Sequence, residues 1–458
     1  MTVTYRVPRL GDDGKLPSKF LPPVDLTAKQ DKATLAADTA AHVADGSALA
    51  TALGAAFVRP SSIGSRMRSA AARAEARNAI DLGPLASPPT VTQTTTQDGT
   101  LTKQVATISN NGVASFTFRG GLKYVFAGIY YRMASVTVTS GGNIDATHSN
   151  AGSAVEFWTD APKIQLAVAG SGNDSRGFQI EINGQPVAAT STAWGFTSGY
   201  FVTLDFAGVR APRKIRWESA SASGAFAGVY VTQVDSVWPA EQGIRCAAVG
   251  DSVMAQTGAS LPNGGFASVM GKLLGWSDVW NIGIGSTGFT ASAATGGVFG
   301  SASRVADAVA AAPDVLFMPA SQNDSGATAS AITTAALAAF RAYRAALPGV
   351  PIISGGLNPS ATGPSAAVLA NEDAVKAAFD QFADPLSFWV PVSRASDTGV
   401  AQPWIYGTGF QGTTNNTGNS DVLIGPDGAH PTQPGHTYLG RRWAQAIRRN
   451  ILHAPTLV

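Results

Sequence analysis

Several residue types are scarce in this chain of 458 residues, and each scarcity excludes a class of protein. The single cysteine, Cys246, excludes an internal disulfide, and its position within an apolar run predicts a buried, inert thiol. Charged residues make up only 14% of the sequence, and the net charge is +2. This near-neutral balance gives no electrostatic basis for a nucleic-acid partner or for binding to an anionic membrane.

Long apolar runs are also missing from the sequence. No stretch is long enough to span a bilayer, so we expect no transmembrane segment. The first residues, MTVTYRVPRLGDDGKLPSKFLPP, contain no apolar segment of the kind found in secretory signals. We therefore expect a protein that is made in the cytoplasm and that reaches any outside target by another route.

The residues that are abundant change along the chain and predict a multidomain protein. Residues 1–96 combine a Gly/Pro-rich start, an Ala-rich stretch with spaced Leu and Val, and the linker-like run PLASPPTVTQTTTQDGTLT. A thin apolar stripe needs partner helices, so we expect an N-terminal helical arm that attaches the protein or joins it into a homotrimer. Residues 97–240 contain short β-rich runs separated by turn residues, which predicts an all-β sandwich or jelly roll.

Residues 241–458 alternate between strand-like and helix-like patterns. The clearest helical stretches are SAITTAALAAFRAYRAAL and NEDAVKAAFDQFA, and a last helix is expected after Pro434. This alternation predicts a doubly wound parallel sheet, in which functional residues lie at the carboxyl ends of the strands. The predicted strands are Ile244–Val249, Asp278–Asn281, Asp314–Ala320, Pro351–Gly355 and Ser387–Pro391.

Polar or glycine-rich motifs follow three of these strands, and a fourth motif lies near the C-terminus. GDS ends at Ser252 after the first strand, NIGIGSTG follows the second, and SQND, with Asn323, follows the third. DGAH carries Asp427 and His430 three positions apart, and Pro431 biases His430 away from helical geometry. A serine, a histidine and a carboxylate are the residue types that serine nucleophilic catalysis requires.

These four motifs, in this order, resemble those of the SGNH (GDSL-type) hydrolase family of esterases and lipases. The resemblance covers roughly residues 241–452 and implies a flavodoxin-like α/β/α fold. It implies Ser252 as the nucleophile and an oxyanion donor, and Asn323 as a side-chain oxyanion donor. It also implies His430 as the base and Asp427 as the residue that orients it, with no metal and no organic cofactor.

Two positions depart from the family pattern. Ser321 stands where the family usually has glycine, which alters the loop that carries Asn323. The oxyanion glycine of the second motif falls on Ser286, with Gly285 beside it. Because the donor is a main-chain N–H, either residue can supply it.

Other aromatic and histidine residues lie close to the catalytic motifs. Trp404, Tyr406 and Phe410 precede DGAH in a Gly/Asn-rich insertion, where they either pack into the core or stack on a sugar at the mouth of the site. His436 opens the last predicted helix, where packing or capping is its expected role.

The arrangement of the domains implies a biological setting. The run DGKLPSKFLPP and the Ala-rich arm resemble the N-termini of bacteriophage tail-fibre and minor tail proteins, and a β-sandwich before an SGNH domain resembles some carbohydrate esterases. These resemblances imply a virion enzyme, bound to other tail proteins, that removes O-acetyl or similar acyl groups from a host surface polysaccharide. The alternatives are a lipid esterase acting on an envelope glycolipid and a receptor-binding tail protein with an inactive hydrolase domain.

Overall fold

The structure is a computed structural model, and it describes part of the chain. The described residues are 67, 85, 87–106, 114–126, 128–134, 152–170, 176–196, 198–220, 224–293, 297–357, 363–395 and 403–452. Most of the predicted N-terminal arm, and with it the trimer, lies outside these residues.

Within the described residues, the region from 90 to 239 forms two antiparallel sheets, one of seven strands and one of six. The strands are β1 Thr90–Thr94, β2 Lys103–Ala106, β3 Thr117–Arg119, β4 Leu122–Phe126, β5 Tyr130–Ala134, β6 Gly152–Thr159, β7 Lys163–Gly170, β8 Phe178–Ile182, β9 Gln185–Pro186, β10 Gly199–Asp205, β11 Arg213–Ala220, β12 Gly224–Val231 and β13 Val237–Pro239. The first sheet has the order β1-β10-β7-β12-β5-β4, with β2 on β12, and the second has the order β13-β6-β11-β8-β9, with β3 on β6.

The two sheets share one apolar core. Phe157 and Trp217 from the second sheet and Leu166 and Phe226 from the first are fully buried in the same cluster. This packing follows from the alternation of side chains along each strand, because every second residue points to the same face. The β-rich region is therefore a two-sheet sandwich, and its jelly-roll connectivity stays a prediction.

The prediction that the residues just before 97 form a linker is wrong for Thr90–Thr94, which form strand β1. Thr90–Thr94 pairs antiparallel with β10, from Thr90 opposite Asp205 to Thr94 opposite Phe201. The run TVTQT is rich in β-branched residues, which favour strands, although its low complexity is typical of a linker. The first sheet therefore extends into the predicted arm.

The α/β region contains the predicted parallel sheet. All five predicted strands are present, as β14 Arg245–Ala248, β15 Asp278–Asn281, β16 Val315–Pro319, β17 Ile352–Gly355 and β18 Ser387–Val390. Their order in the sheet, β15-β14-β16-β17-β18, is the flavodoxin-like order 2-1-3-4-5. The helices are α1 Phe266–Leu274, α2 Ala302–Ala310, α3 Ala329–Ala346, α4 Ala366–Phe382, α5 Ser420–Leu423 and α6 Gln433–Ile447, with a 3-10 helix at Gln322–Gly326 and a π-helical turn at Arg448–Leu452.

Helices cover both faces of this sheet. Phe317 points to the face that carries α1 and α6, where it packs edge-on against Trp443 at 4.8 Å between ring centroids. Its neighbours Leu316 and Met318 point to the opposite face, where they join the cluster that contains Phe340 of α3. The free thiol of Cys246 is buried in the first of these layers. This three-layer arrangement brings the carboxyl ends of β14, β15 and β16 to one edge, where three of the four motifs lie.

Buried charges connect the β-sandwich to the α/β region. Lys272 of α1 donates hydrogen bonds to Glu181 and, at 3.0 Å, to Glu218. Arg216 pairs with Glu218 and, at 2.8 Å, with Glu156. The two contacts of Lys272 reach across the interface, because the lysine belongs to the α/β region and the carboxylates belong to the sandwich, whereas the pairs of Arg216 lie within the sandwich.

The charges in this network are balanced. Arg119 adds a third cation and pairs with Glu156 at 3.0 Å, so three cations face three carboxylates. Burial alone would raise the pKa of Glu156, but Arg216 and Arg119 lower it to about 2. Despite burial, Lys272 and Arg216 also hold the pKa of Glu218 below its ordinary value, whereas burial raises the pKa of Glu181. Each of these buried carboxylates depends on its cations for compensation.

We expect Lys272→Met to destabilise the protein because it leaves Glu181 and Glu218 with too little positive charge. The expected loss in the free energy of unfolding is about 2–4 kcal/mol, reduced from the value for a fully buried pair because the lysine is partly exposed. Lys376→Met is the matched control, since Lys376 forms an exposed helical pair with Asp380. Urea unfolding of both variants checks this, and equal losses would contradict it.

Candidate active site

The structure brings three of the predicted residues together at the edge of the parallel sheet. The distance from His430 Nε2 to Ser252 Oγ is 2.8 Å, and the distance from His430 Nδ1 to Asp427 Oδ2 is 2.6 Å. Ser252 follows β14, whereas the other two residues lie on the loop before α6. The group is open to solvent, because the side chain of His430 is 22% exposed and that of Asp427 is 52% exposed.

The loop that carries Asp427 and His430 is held by hydrogen bonds between its own residues. Asp427 Oδ1 accepts hydrogen bonds from the N–H groups of Ala429 and His430, both at 2.9 Å. Gly425 N–H donates to the carbonyl of His430 at 2.7 Å, and Gly428 turns the chain with a φ of 70°. Asp427 Oδ2 is thereby left to face the imidazole.

Electrostatics favour one tautomer of His430. Burial alone would raise the pKa of Asp427, but the backbone N–H groups of His430 and Ala429 and the imidazole itself hold that pKa below its ordinary value. An ionised Asp427 accepts a hydrogen bond from the N–H at Nδ1 of a neutral imidazole. Nε2 is then an acceptor for the hydroxyl proton of Ser252, which is the arrangement that a general base requires.

The loops that carry Ser252 and His430 are in direct contact. Gly258 lies at the end of the turn that begins at Asp251, with a φ of 90°. A Cβ atom there would lie 2.2 Å from the carbonyl oxygen of Pro431. Only glycine meets both requirements, so Gly258 allows the nucleophile turn to approach the base loop.

Helix α6 braces the segment that follows the nucleophile. Gln433 Oε1 accepts hydrogen bonds from the N–H groups of Ser260 at 3.0 Å and Leu261 at 3.1 Å, and its Nε2 donates to the carbonyl of Gly264 at 3.0 Å. Because Gln433 lies three positions after His430, it couples the base loop to the nucleophile loop. No local pattern indicates this role, since all three partners are distant along the chain.

His436 is a second brace and has the packing role predicted for it. Its Nδ1 accepts a hydrogen bond from Phe266 N–H at 3.2 Å, and its Nε2 donates to the carbonyl of Thr257 at 2.9 Å. The ring is fully buried and stacks on Phe266. Burial lowers the pKa of His436 to about 4, so the imidazole is neutral in the folded protein at neutral pH.

The predicted oxyanion residues lie on the segments that follow β14, β15 and β16. A Cβ atom built on Gly285 would lie 3.7 Å from Ser252 Cβ, and Ser286 has a left-handed φ of 62°. Asn323 Nδ2 donates to the carbonyl of Thr287 at 3.0 Å, which leaves its second N–H available. The two segments that carry the predicted donors are thus joined to each other.

Asp324 is a functional position that sequence reasoning missed. This buried carboxylate accepts hydrogen bonds from the N–H groups of Phe289 at 2.8 Å, Thr290 at 2.7 Å and Ala291 at 2.9 Å. It also accepts one from the Thr290 hydroxyl at 2.6 Å. The carboxylate next to Asn323 therefore fixes the end of the glycine-rich loop, and its place in SQND is the signal that could have found it.

The three aromatic residues before the base loop have different environments. Trp404 is buried and packs edge-on against Trp443 at 5.2 Å between centroids, so of its two predicted roles it has core packing and not sugar stacking. The neighbouring Ile405 is also fully buried. Phe410 is half-buried against the same core, and Tyr406 is 41% exposed. A role of Tyr406 and Phe410 in substrate binding stays a prediction.

The described part of the chain contains neither a candidate metal site nor a membrane-spanning helix. No group of three or more His, Cys, Asp or Glu side chains there could hold a metal ion. None of the helices in those residues is long and apolar enough to cross a membrane.

We expect the stability of the protein to fall between about pH 6.5 and pH 4 because of His436. The folded-state pKa of about 4 lies below the ordinary value, so the unfolded chain binds a proton that the folded chain resists. This linkage removes about 1.4 kcal/mol of unfolding free energy per pH unit within the window. Urea unfolding at pH 7 and pH 5 measures it, with His436→Gln as the control that lacks the titrating group. Parallel pH curves for the two proteins would contradict the assignment.

No protein-family profile and no curated protein matches the chain. Many solved structures are similar to it, including the following three. A salicylyl-acyltransferase from a tetracycline biosynthetic pathway is 13% identical, with a TM-score of 0.51 over 74% of this chain and 97% of that chain. A protein described as a GDSL-like lipase from Bacteroides ovatus is 14% identical, with a TM-score of 0.50 over 75% of this chain and 100% of that chain. A family two carbohydrate esterase from Cellvibrio japonicus is 10% identical, with a TM-score of 0.48 over 79% of this chain and 98% of that chain.

The first two of these likenesses extend over nearly the whole of the other chains. At such identities they show a shared fold. The chain therefore has a fold that is found in GDSL-type proteins.

Proposed function

We propose that the protein is a serine esterase that hydrolyses acyl esters, above all O-acetyl esters, on a cell-surface glycan. The observation that carries the proposal is the continuous hydrogen-bond chain from Ser252 Oγ through His430 to Asp427, at 2.8 Å and 2.6 Å. These hydrogen bonds lie at the carboxyl edge of a parallel sheet, where α/β proteins bind their ligands. Serine, histidine and carboxylate in this arrangement perform acyl transfer on several unrelated folds.

The first chemical step is the attack of Ser252 on the ester. His430 Nε2 takes the hydroxyl proton while Ser252 Oγ bonds to the carbonyl carbon, and Asp427 stabilises the imidazolium that forms. His430 then gives the proton to the leaving alcohol. An acyl-serine remains, and water attacks it with His430 again acting as the base.

The negative charge of each tetrahedral intermediate needs donors that are already in place. The proposed donors are the N–H of Ser252, an N–H from Gly285 or Ser286, and the free amide N–H of Asn323. The loss of one such donor typically lowers kcat by about 10²–10³. The hydrogen bonds of Asp324 and Thr287 support this role, because they fix the two segments that supply the donors.

A polymer-bound acetyl ester suits the exposure of the site. The side chain of His430 is 22% exposed and that of Asp427 is 52% exposed. An open site accepts a small acyl group carried on a large hydrated polymer, whereas a long acyl chain gains affinity only by burial against apolar surface. The substrate that we propose is therefore an acetylated polysaccharide, and a lipid ester is the alternative.

The virion setting is a further part of the proposal. It is supported by the resemblance of the N-terminal arm to phage tail-fibre and minor tail proteins. In this setting the arm joins three copies to other tail proteins, and the enzyme acts on the host surface during adsorption.

Light scattering of the full chain is expected to give a trimer, and a monomer would contradict the role of the arm.

Hydrolysis of p-nitrophenyl acetate and p-nitrophenyl octanoate tests the esterase. The wild-type protein is expected to turn over the acetate, and Ser252→Ala to reduce this turnover to the background rate because it removes the attacking oxygen. Ser303→Ala, a serine on α2 outside the triad, is the matched control and is expected to keep the wild-type rate. Equal trace rates in the wild-type protein and Ser252→Ala would indicate an inactive hydrolase domain and favour the receptor-binding alternative.

The choice of ester then identifies the substrate class. Turnover of octanoate at a rate similar to acetate would favour the lipid alternative. Release of free acetate from O-acetylated envelope polysaccharide, measured against the same polymer deacetylated with alkali, tests the glycan directly. An enzyme that is active on p-nitrophenyl acetate and releases no acetate from the polymer would contradict the glycan and leave the esterase in place.

A further inference from the structure

Ser321 lies at the point where the three segments of the candidate oxyanion hole meet. Its side chain is fully buried at the carboxyl end of β16. Ser321 Oγ lies 2.6 Å from Asp251 Oδ2 and 3.0 Å from the carbonyl oxygen of Thr287, and it accepts a hydrogen bond from Asn323 N–H at 3.1 Å. One hydroxyl group therefore contacts all three segments.

Each contact of Ser321 is next to an oxyanion donor in the chain. Asp251 directly precedes Ser252, and Thr287 directly follows Ser286. The third contact is the backbone of Asn323 itself. A displacement of the Ser321 hydroxyl would thus shift the position of every oxyanion donor.

The hydrogen bonds around Ser321 are complementary. Asn323 Nδ2 donates to the carbonyl of Thr287, so that oxygen has a partner without the serine. The single hydroxyl proton of Ser321 is then free for Asp251 Oδ2, and the distance of 2.6 Å is typical of a hydroxyl that donates to a carboxylate. Asp251 Oδ1 meanwhile accepts from Val253 N–H at 2.9 Å, which holds the nucleophile turn.

Charged groups around Asp251 complete this arrangement. Burial raises the pKa of Asp251 above its ordinary value, although the Ser321 hydroxyl, backbone N–H groups and His430 act to lower it. Arg304 of α2 is buried and donates to the carbonyl of Gly250 at 2.9 Å. The guanidinium therefore holds the residue that precedes Asp251.

We propose that Ser321 is a positioning residue for the oxyanion hole, and that it acts by fixing Asn323 relative to Ser252 and Thr287. The inference rests on the proposed esterase function. It assigns the hydroxyl a specific task at a position where the family resemblance leads one to expect glycine. Without the hydroxyl, the Asn323 amide and the nucleophile turn lose their shared partner.

Ser321→Ala tests the role of the hydroxyl. We expect kcat for p-nitrophenyl acetate to fall by about 10-fold to 100-fold, with KM within about twofold, because misplaced groups slow the chemical step more than they weaken binding. Ser354→Ala is the matched control, since Ser354 is an equally buried serine on β17 whose hydroxyl donates to the carbonyl of Met318 at 2.8 Å. This control is expected to lose similar thermal stability and to keep kcat.

Ser321→Cys separates hydrogen bonding from packing. The thiol fills the same space but is a weak donor and a weak acceptor, so kcat is expected to fall while the protein stays folded. Wild-type kcat in Ser321→Ala or in Ser321→Cys would overturn the proposal. A fall in kcat for Ser354→Ala equal to that for Ser321→Ala would also overturn it, because general destabilisation would then explain both.

A double-mutant cycle with Asn323→Ala tests the path of the effect. If Ser321 acts by positioning Asn323, part of its effect disappears with the amide, so Ser321→Ala slows the Asn323→Ala variant by a smaller factor than it slows the wild-type protein. If the two substitutions lower kcat by factors that multiply in the double variant, Ser321 acts independently of Asn323, and the proposed positioning of Asn323 is overturned. A wild-type protein that shows no Ser252-dependent turnover overturns the proposed function and this inference together, whereas normal wild-type turnover with an unaffected Ser321→Ala overturns the inference alone.

Discussion

The candidate site depends on one long-range contact, the hydrogen bond between Ser252 and His430, which lie 178 positions apart. This contact is possible because the two loops touch at Gly258, where a Cβ atom would collide with the carbonyl of Pro431. Gln433 and His436 then hold the nucleophile loop against α6 through hydrogen bonds to its backbone. The site is therefore positioned by contacts between loops and by hydrogen bonds to the loop backbone.

The sequence predicted the features that are encoded locally. The strand that ends before Ser252 and the four that follow were recognisable as short apolar runs bounded by turn residues, and the order of the motifs placed Asn323 and the triad. The loop from Asp427 to His430 was predictable for the same reason, since its partners lie within three positions. Local patterns were sufficient wherever a residue and its partner are close in the chain.

Features that depend on distant partners could not be predicted in this way. Gln433 and Asp324 have their roles only because the fold brings loop N–H groups to them. Trp404 is surrounded by loop-like residues in the sequence, yet the fold places it against Trp443 in the core. Conversely, β1 has the composition of a linker and becomes a strand because β10 offers it an edge. The interface between the sandwich and the α/β region belongs to this class, because no local pattern pairs Lys272 with Glu218.

The loop from Gly425 to His430 differs from the rest of the site in the length of chain that it closes. Its carboxylate, its imidazole and the N–H groups that hold them lie within a few residues, so little chain entropy is lost when they come together. The contact with Ser252 instead closes a segment that includes most of the parallel sheet. The entropic cost of building the site therefore falls almost entirely on bringing the serine to the histidine, and the acid–base pair forms at little cost within its own loop.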